Sequence, residues 1–180
     1  MKNGKALLII DMQNESFSPG ASSYDMEGVV TRINALSAKF RAAGLPVILV
    51  QHDGTLQGEY VPGTPGWELI PGLTISPSDI RLGKTANDTF YETGLQTILD
   101  QRQVNELFIT GSATDFCIDS SVQSALTKNY IVTVVRDGHT TGERAHLSAE
   151  KIVEHYNWVW RNLSPTKGRI VIKRAAEIEL

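Results

Sequence analysis

The sequence predicts a three-layer α/β/α domain with a mostly parallel six-stranded sheet over residues 1–180. Two observations support this fold class. Apolar runs without polar alternation are typical of strands that are buried on both faces of a parallel sheet. Segments with helical apolar spacing lie between these runs, and this alternation is characteristic of a doubly wound sheet with right-handed crossovers.

Six apolar runs predict the strands of this sheet. Four of them are long and continuous, a fifth is shorter, and the sixth is the weakest. In that order they are ALLII at 6–10, PVILV at 46–50, ELFIT at 106–110, IVTVV at 131–135, RIVI at 169–172 and DIRLG at 79–83.

Four segments between the runs predict helices. Apolar residues recur at helical spacing over 29–40, and Gly44 ends that helix. Further helices are expected over 93–101, 115–129 and 148–160.

The connection 52–78 differs from the rest of the chain, because it holds four of the seven prolines and five glycines. A connection of this length is uncommon inside a compact domain unless it has a function. We therefore expect it to cover an active site or to form a contact between subunits. The alternative is an insertion without a function.

Composition and charge exclude several classes of protein. The formal net charge is −3 and no basic stripe is present, so a nucleic acid is not an expected partner. A single cysteine, Cys117, excludes an internal disulfide and a cysteine-based metal cluster, which fits a cytoplasmic location. The first apolar run is too short for a signal sequence or a membrane span, so no membrane partner is expected.

Polar residues follow the predicted strands, and ligands of open α/β sheets bind beyond the carboxyl ends of the strands. These candidate residues are Asp11, His52, Asp53, Lys84, the 111–117 turn with Cys117, Asp137 and His139. Asp11 alone is equally compatible with capping a turn, and a lone lysine such as Lys84 is usually solvated. Lys84 does not belong to a phosphate-binding loop, because Ser78 stands where that motif needs its first glycine.

Cys117 stands where a reactive thiol is favoured. Thr114 or Asp115 is a natural N-cap for the 115–129 helix, which puts Cys117 in the first turn. The helix dipole and free N–H groups of that turn are expected to lower the pKa of the thiol and to stabilise an oxyanion. The alternative is a small buried hydrophobic side chain, which is the commoner role of a lone cysteine. Histidine is the usual base for such a nucleophile, but neither His52 nor His139 has a distinctive context.

Three segments of the chain resemble the isochorismatase-like cysteine hydrolase family, which includes nicotinamidases. They are ALLIIDMQNESF, KTANDTFYETGLQTIL and ITGSATDFCIDSSVQSALTKNYIVTVVRDGHTT, in the family's order. The resemblance implies a Rossmann-like fold and a catalytic triad of Asp11, Lys84 and Cys117. It also implies a cis peptide bond between Ser112 and Ala113. In this family such a bond directs the Ala113 N–H, together with the Cys117 N–H, towards the oxyanion.

The chain departs from the nicotinamidases at the metal site. Those relatives carry Asp-x-His after the second strand, whereas this chain reads Asp53-Gly54-Thr55, and no histidine occurs from 53 to 138. We therefore expect no metal and no cofactor, and the departure argues against nicotinamide as the substrate.

The pocket and the assembly are less clearly indicated. Aromatic and polar residues near the strand ends are candidates for contacting a substrate, although each is also compatible with a packing role. They are Gln13, Phe17, His52, Trp67 and Phe116, with Tyr60 as a further aromatic candidate. Trp158 and Trp160 suit helix packing or an interface, and the resemblance implies a homo-oligomer, either a dimer or a tetramer.

Together these observations predict a cysteine hydrolase that cleaves a carbon–nitrogen bond of a small amide-type substrate through a thioester on Cys117. Two alternatives stay open at this point. One is cleavage of a vinyl ether of the isochorismate type, for which a cysteine is unnecessary. The other is an α/β binding protein without catalytic activity.

Overall fold

The computed structural model describes residues 4–17, 23–165 and 167–180. Its centre is a six-stranded sheet in which every neighbouring pair of strands is parallel. The strands are β1 (Gly4–Ile10), β2 (Val47–His52), β3 (Ile80–Lys84), β4 (Val104–Ser112), β5 (Ile131–Thr140) and β6 (Arg169–Lys173). The predicted fold class is confirmed, and all six predicted strands are present.

Four α-helices lie between the strands in the part of the chain that the structure describes. They are α1 (Met26–Ala42), α2 (Leu95–Gln101), α3 (Asp119–Thr127) and α4 (Ala149–Arg161). Each lies within a few residues of its predicted position, but the third differs in kind. Its predicted first turn is a separate π-helical turn, Thr114–Ile118, and regular α-helix begins only at Asp119.

The order of the strands puts a crevice at the centre of the sheet. From one edge to the other the order is β3, β2, β1, β4, β5, β6, so the chain changes direction between β1 and β4. In sheets of this kind the ligand site lies at this switch point, beyond the carboxyl ends of the strands. β1 ends there at Ile10, which is paired with Val50 on one side and Gly111 on the other.

Gly111 is required at this switch point. Its φ is +121°, a conformation that side-chain-bearing residues rarely adopt, and a Cβ atom there would overlap the backbone of Ile10. The glycine thus lets β4 approach the end of β1 closely, just before the segment that carries Cys117.

The apolar runs are continuous because both faces of the sheet are covered. In β1, Leu8 and Ile10 join the apolar cluster that holds residues of α2, α3 and α4, while Leu7 and Ile9 join the cluster that holds residues of α1. All four side chains are essentially excluded from solvent. Burial of a leucine or isoleucine side chain contributes about 1.5–3 kcal/mol, so the central strands supply much of the stability of the sheet.

The long connection between β2 and β3 is partly structured. Leu69, Ile70 and Leu73 are buried in the α1-side cluster, and the Ile70 N–H donates to the Met12 carbonyl oxygen at 3.0 Å. The connection is therefore anchored to the chain that leaves β1. Among the described residues, no helix combines the length and the apolar character that a membrane span requires.

His139 is a buried polar group that joins three elements. It lies in β5, and its Nδ1 is 2.9 Å from Thr114 Oγ1 in the π-helical turn, while its Nε2 is 3.3 Å from Asn157 Oδ1 in α4. Asn157 Nδ2 donates to the Arg136 carbonyl oxygen, so the amide oxygen faces His139 and accepts from Nε2. Nδ1 then accepts the Thr114 hydroxyl proton. Burial lowers the pKa of His139 to about 4, so the ring is neutral.

Stability of the fold should therefore depend on pH through His139. On folding, the pKa of His139 falls from its usual value to about 4. The neutral ring therefore stabilises the fold fully when the pH is above the pKa of the unfolded state. This stabilisation is lost as the pH falls towards the pKa of the folded state. The loss amounts to about 3 kcal/mol between roughly pH 6.5 and pH 4. Urea unfolding across this range should show it in the wild type, and His139→Gln should flatten that part of the profile. The matched control is His155→Gln, on exposed α4 surface, which should keep the wild-type slope; an unchanged slope in His139→Gln would refute the assignment.

Candidate active site

Asp11, Lys84 and Cys117 meet at the carboxyl edge of the sheet. Lys84 is the last residue of β3, Asp11 follows β1, and Cys117 lies in the π-helical turn after β4. Lys84 Nζ is 2.7 Å from Asp11 Oδ2 and 3.2 Å from Cys117 Sγ. Residues that are far apart in the sequence thus surround one ammonium group, as the resemblance implies.

Lys84 is held by a complete set of contacts. Its side chain is fully buried, whereas a lone lysine is usually solvated. Besides Asp11 and Cys117, Nζ lies 2.9 Å from the Ala86 carbonyl oxygen and 3.3 Å from His52 Nδ1. Burial by itself lowers the pKa of Lys84, but the charges and hydrogen bonds of Asp11 and Cys117 more than offset it, so the pKa is raised. Lys84 therefore carries a positive charge at neutral pH.

Asp11 is held in an unusual backbone conformation. Its φ is +50°, in the left-handed region that is uncommon for residues other than glycine, asparagine and aspartate. Its N–H donates to the Val50 carbonyl oxygen at 2.9 Å, which continues the pairing of β1 with β2. Backbone of this kind is often found at functional sites.

One oxygen of Asp11 has no hydrogen-bond partner among the described residues. Oδ2 contacts Lys84, whereas Oδ1 is buried without a hydrogen bond to any described residue. Buried carboxylate oxygens are normally hydrogen-bonded, so an unpartnered one needs a reason. Asp11 also lines the central cavity, as does Cys117.

The thiol of Cys117 is neutral, contrary to the prediction from its helix position. Burial and the negative charge of Asp11 outweigh the attraction of Lys84 and raise the pKa of Cys117 to about 12. The predicted lowering of this pKa is wrong because the dipole argument leaves out the burial of the thiol and the carboxylate that shares Lys84 with it. The site therefore holds a neutral thiol and a carboxylate that both contact the Lys84 ammonium.

The predicted N-cap is also wrong. Neither Thr114 nor Asp115 caps the turn with its side chain. The Thr114 hydroxyl bonds to His139, and the Asp115 carboxylate accepts hydrogen bonds from Arg144 and Thr141. Both side chains instead fasten the turn to β5 and to the segment that follows it.

The peptide bond between Ser112 and Ala113 is cis, as the resemblance implies. It lies directly between the end of β4 and the π-helical turn. Ser112, Ala113 and Cys117 all line the same cavity, so the backbone of this turn forms part of its wall.

The cavity has a volume of about 590 Å³ and opens at the switch point. Its wall combines the Asp11 and Cys117 side chains with two aromatic rings and several charged groups. The other lining residues are Glu15, Ser16, His52, Glu59, Tyr60, Asn87, Ser112, Ala113, Phe116, Gly142, Glu143 and Arg144. A larger cavity of about 770 Å³ lies between α1 and α4, but it contains neither Asp11 nor Cys117.

The structure places some predicted pocket residues at the cavity and others away from it. His52, Tyr60 and Phe116 line it, whereas Gln13, Phe17 and Trp67 do not. Gln13 is fully buried and joins two loops, because its Nε2 donates to the carbonyl oxygens of His52 and Trp67 while its Oε1 accepts from the His52 N–H. Phe17 packs against the apolar cluster on the α1 side.

Sequence reasoning missed Arg144, Asn87 and the acidic residues of the wall. Arg144 forms an ion pair with Asp115 and lies 5.2 Å from the centre of the Phe116 ring. Asn87 Oδ1 is 3.6 Å from Cys117 Sγ. All of these residues lie on connections, where no apolar periodicity marks the side that faces a cavity.

The Asp53-Gly54-Thr55 segment forms a local turn in which the Thr55 N–H donates to Asp53 Oδ1 at 3.0 Å. The hydrogen bonds from Thr55 lower the pKa of Asp53. Within 4–17, 23–165 and 167–180, no group of three or more His, Cys, Asp or Glu side chains is arranged to hold a metal ion.

Proteins from other organisms are similar in sequence to about three quarters of this chain. Streptothricin hydrolase from Streptomyces noursei is 33% identical over 137 residues, which are 76% of this chain and 50% of that protein. The chain thus spans about half the length of that relative. Ureidoacrylate amidohydrolase from Caulobacter vibrioides is 30% identical over 175 residues, covering 76% of this chain and 77% of the relative.

Solved structures share the fold. An isochorismatase from Pseudomonas putida matches with a TM-score of 0.87 at 26% identity, covering 97% of this chain and 90% of that one. N-carbamoylsarcosine amidase from Thermoplasma acidophilum matches with a TM-score of 0.78 at 26% identity, covering 98% and 99% of the two chains. The family model of the isochorismatase domain matches residues 5–167. The resemblance seen in the three sequence segments is confirmed, and the chain belongs to the isochorismatase family.

Proposed function

We propose that the protein hydrolyses a carbon–nitrogen bond of a small amide-type substrate through a thioester on Cys117. The observation that carries this proposal is that Asp11, whose Oδ1 has no hydrogen-bond partner among the described residues, lines the same cavity as the neutral thiol of Cys117. A base and a nucleophile are thus present together, with Lys84 in contact with both. Relatives named as an amidohydrolase and an amidase support this reaction class.

In the first half of the reaction Asp11 takes the proton of Cys117 while the sulfur attacks the amide carbonyl carbon. The new carbon–sulfur bond moves an electron pair onto the carbonyl oxygen, and the N–H groups of Ala113 and Cys117 stabilise that oxyanion. A donor of this kind is typically worth about 10²–10³ in rate. The carbon–nitrogen bond then breaks, and the leaving nitrogen takes the proton from Asp11.

In the second half a water molecule attacks the thioester. Asp11 takes a proton from this water, the carbon–sulfur bond breaks, and the proton passes to the sulfur. The acid leaves, and the thiol and carboxylate return to their starting states. Lys84 stays charged throughout and compensates the negative charge as it moves between Asp11 and the sulfur.

The alternatives fit these contacts less well. Cleavage of a vinyl ether needs a proton donor to carbon and has no use for a thiol. Here Cys117 Sγ lies 3.2 Å from a buried ammonium and also lines the cavity, which favours covalent chemistry. A binding protein without activity would not need an unpartnered buried carboxylate oxygen.

We further propose that residues 1–180 form a single hydrolase domain that acts in the cytoplasm as a dimer or tetramer. The unpaired thiol of Cys117 supports a reducing location. Trp160 is fully buried and packs inside the domain, whereas the Trp158 side chain is 62% exposed on α4. An exposed tryptophan of this size supports a contact between subunits.

Loss of the thiol should abolish hydrolysis. Cys117→Ala and Cys117→Ser should lower turnover by at least about 10³-fold, because the nucleophile is gone and the rest of the site acts as a unit with it. Turnover is measured as the release of ammonia or amine from ureidoacrylate, N-carbamoylsarcosine, streptothricin and simple aliphatic amides. Isochorismate is added to the panel to test the alternative, cleavage of a vinyl ether. Mass spectrometry of the wild type should reveal an acyl adduct on Cys117 that hydroxylamine removes. Full activity in Cys117→Ala would refute the covalent route.

Replacing Asp11 should separate catalysis from thiol reactivity. Asp11→Asn should lower turnover by about 10²–10⁴-fold because the base is lost. The same change should make Cys117 react faster with iodoacetamide at neutral pH, because the carboxylate that raises the thiol pKa is gone while Lys84 stays.

The wild-type alkylation rate should keep rising with pH beyond 8.5, the usual thiol pKa, towards the raised value of about 12. Glu106→Gln, near the amino-terminal end of β4 and outside the cavity, serves as the control and should match the wild type in both assays. A slower alkylation in Asp11→Asn would contradict the conclusion that the Asp11 carboxylate raises the pKa of the Cys117 thiol.

A further inference from the structure

The N–H groups of the positively charged side chains near the cavity are all occupied by acceptors within the protein. Lys84 has three N–H groups, and Asp11, Ala86, Cys117 and His52 surround them with four acceptors. Lys84 therefore has no donor left for a substrate group.

Among the residues that the structure describes, Arg144 is the only arginine or lysine that lines the cavity, and all five of its N–H groups have acceptors. Nε and Nη2 donate to the Asp115 carboxylate, and Nη2 also donates to Thr141 Oγ1. Nη1 lies 3.1 Å from the Gly142 carbonyl oxygen and 3.3 Å from that of Glu143. Asp115 also neutralises the charge of the guanidinium. A carboxylate-bearing substrate would therefore find no free cationic donor in this wall.

The glutamates in the same wall, unlike its arginine, are not neutralised by ion pairs with described residues. Asp11 is paired with Lys84, but Glu15, Glu59 and Glu143 also line the cavity. Of the described residues, none forms an ion pair with any of these three glutamates. Glu143 Oε2 accepts the Ala149 N–H at 3.1 Å, so the start of α4 partly compensates that charge, whereas Glu15 and Glu59 have no such partner within the described part of the chain.

These acids do not form a metal site, because no three acidic, histidine or cysteine side chains of the described chain are arranged to hold an ion. The neutral part of the wall is suited to a carbon chain, since the Phe116 ring is 49% exposed at the cavity. Burial and the charge of Lys84 lower the pKa of His52, so this ring adds no positive charge at neutral pH.

We infer that the substrate carries a positively charged group, such as a protonated amine, which Glu15 and Glu59 attract while Cys117 attacks the amide. This inference rests on the proposed function for the identity of the reacting bond, but not for the sign of the preferred charge. A cleft with walls of one sign raises the local concentration and the association rate of the opposite ion by about 10–10³-fold.

The single thiol allows this charge preference to be measured without any turnover. Cys117 is the only cysteine, so three methanethiosulfonates that differ in charge report on access to one atom. The reagents are 2-aminoethyl, propyl and 2-sulfonatoethyl methanethiosulfonate, each of which forms a mixed disulfide with the thiol and releases methanesulfinate. Their rates on the protein are divided by their rates on 2-mercaptoethanol, which removes differences in intrinsic reactivity.

The wild type should favour the cationic over the anionic reagent by about 10-fold or more at low ionic strength. Added salt should reduce this ratio, because it screens the exposed glutamates. The double variant Glu15→Gln/Glu59→Gln should lose most of the preference. The matched control Glu106→Gln/Glu154→Gln removes the same charge from residues outside the cavity and should keep the wild-type ratio.

Two results would overturn the inference: a wild-type ratio at or below one, or equal ratios in the two double variants. Circular dichroism checks that both fold, and the single variant Glu59→Gln replaces the double one if it does not.

A second arm tests the substrate itself with 5-aminopentanamide, hexanamide and adipamic acid, which differ only at the end of the chain. Ammonia release should be fastest from the first and slowest from the last. No release from any of them, together with a cationic preference in the thiol assay, would count against amide hydrolysis and leave the charge preference standing.

Discussion

The buried ammonium of Lys84 is the interaction on which the site depends. A buried charge is costly unless it is paired and hydrogen-bonded, and here Asp11 and Cys117 are both within contact of Nζ. The end of β1, the end of β3 and the turn after β4 must therefore stay in register. A change that moved one of them would leave a charge without compensation in the interior.

Several polar contacts outside the triad fix the positions of the elements that carry it. Gln13 joins the chain after β1 to the end of β2 and to the long connection, and His139 joins the π-helical turn to β5 and α4. Gly111 lets β4 pass close to Ile10. The result is a neutral thiol beside a carboxylate that is paired with Lys84.

The sheet could be predicted because its central strands are buried on both faces and are therefore continuous apolar runs, as in β1 and β2. The clustering of Asp11, Lys84 and Cys117 could also be predicted, because the strand ends of a parallel sheet share one edge. The contacts that surround these residues could not be predicted. The pKa of Cys117 depends on Asp11, more than a hundred residues away, and Gln13 acts through partners 39 and 54 residues distant. Local propensity carries no signal for such contacts, so the predicted cap at Thr114 or Asp115 and the predicted thiolate were wrong.

One ammonium, that of Lys84, is shared by the Asp11 carboxylate and the neutral thiol of Cys117. The direct measurement is a pH titration of the ¹³Cβ chemical shift of Cys117, which is assigned without ambiguity because the chain has a single cysteine. We expect the shift to stay at the thiol value through pH 8.5, the usual thiol pKa, and to change only towards a pKa of about 12. A midpoint below pH 8.5 would mean that the thiolate already exists at rest, and it would contradict the role of Asp11 as the base.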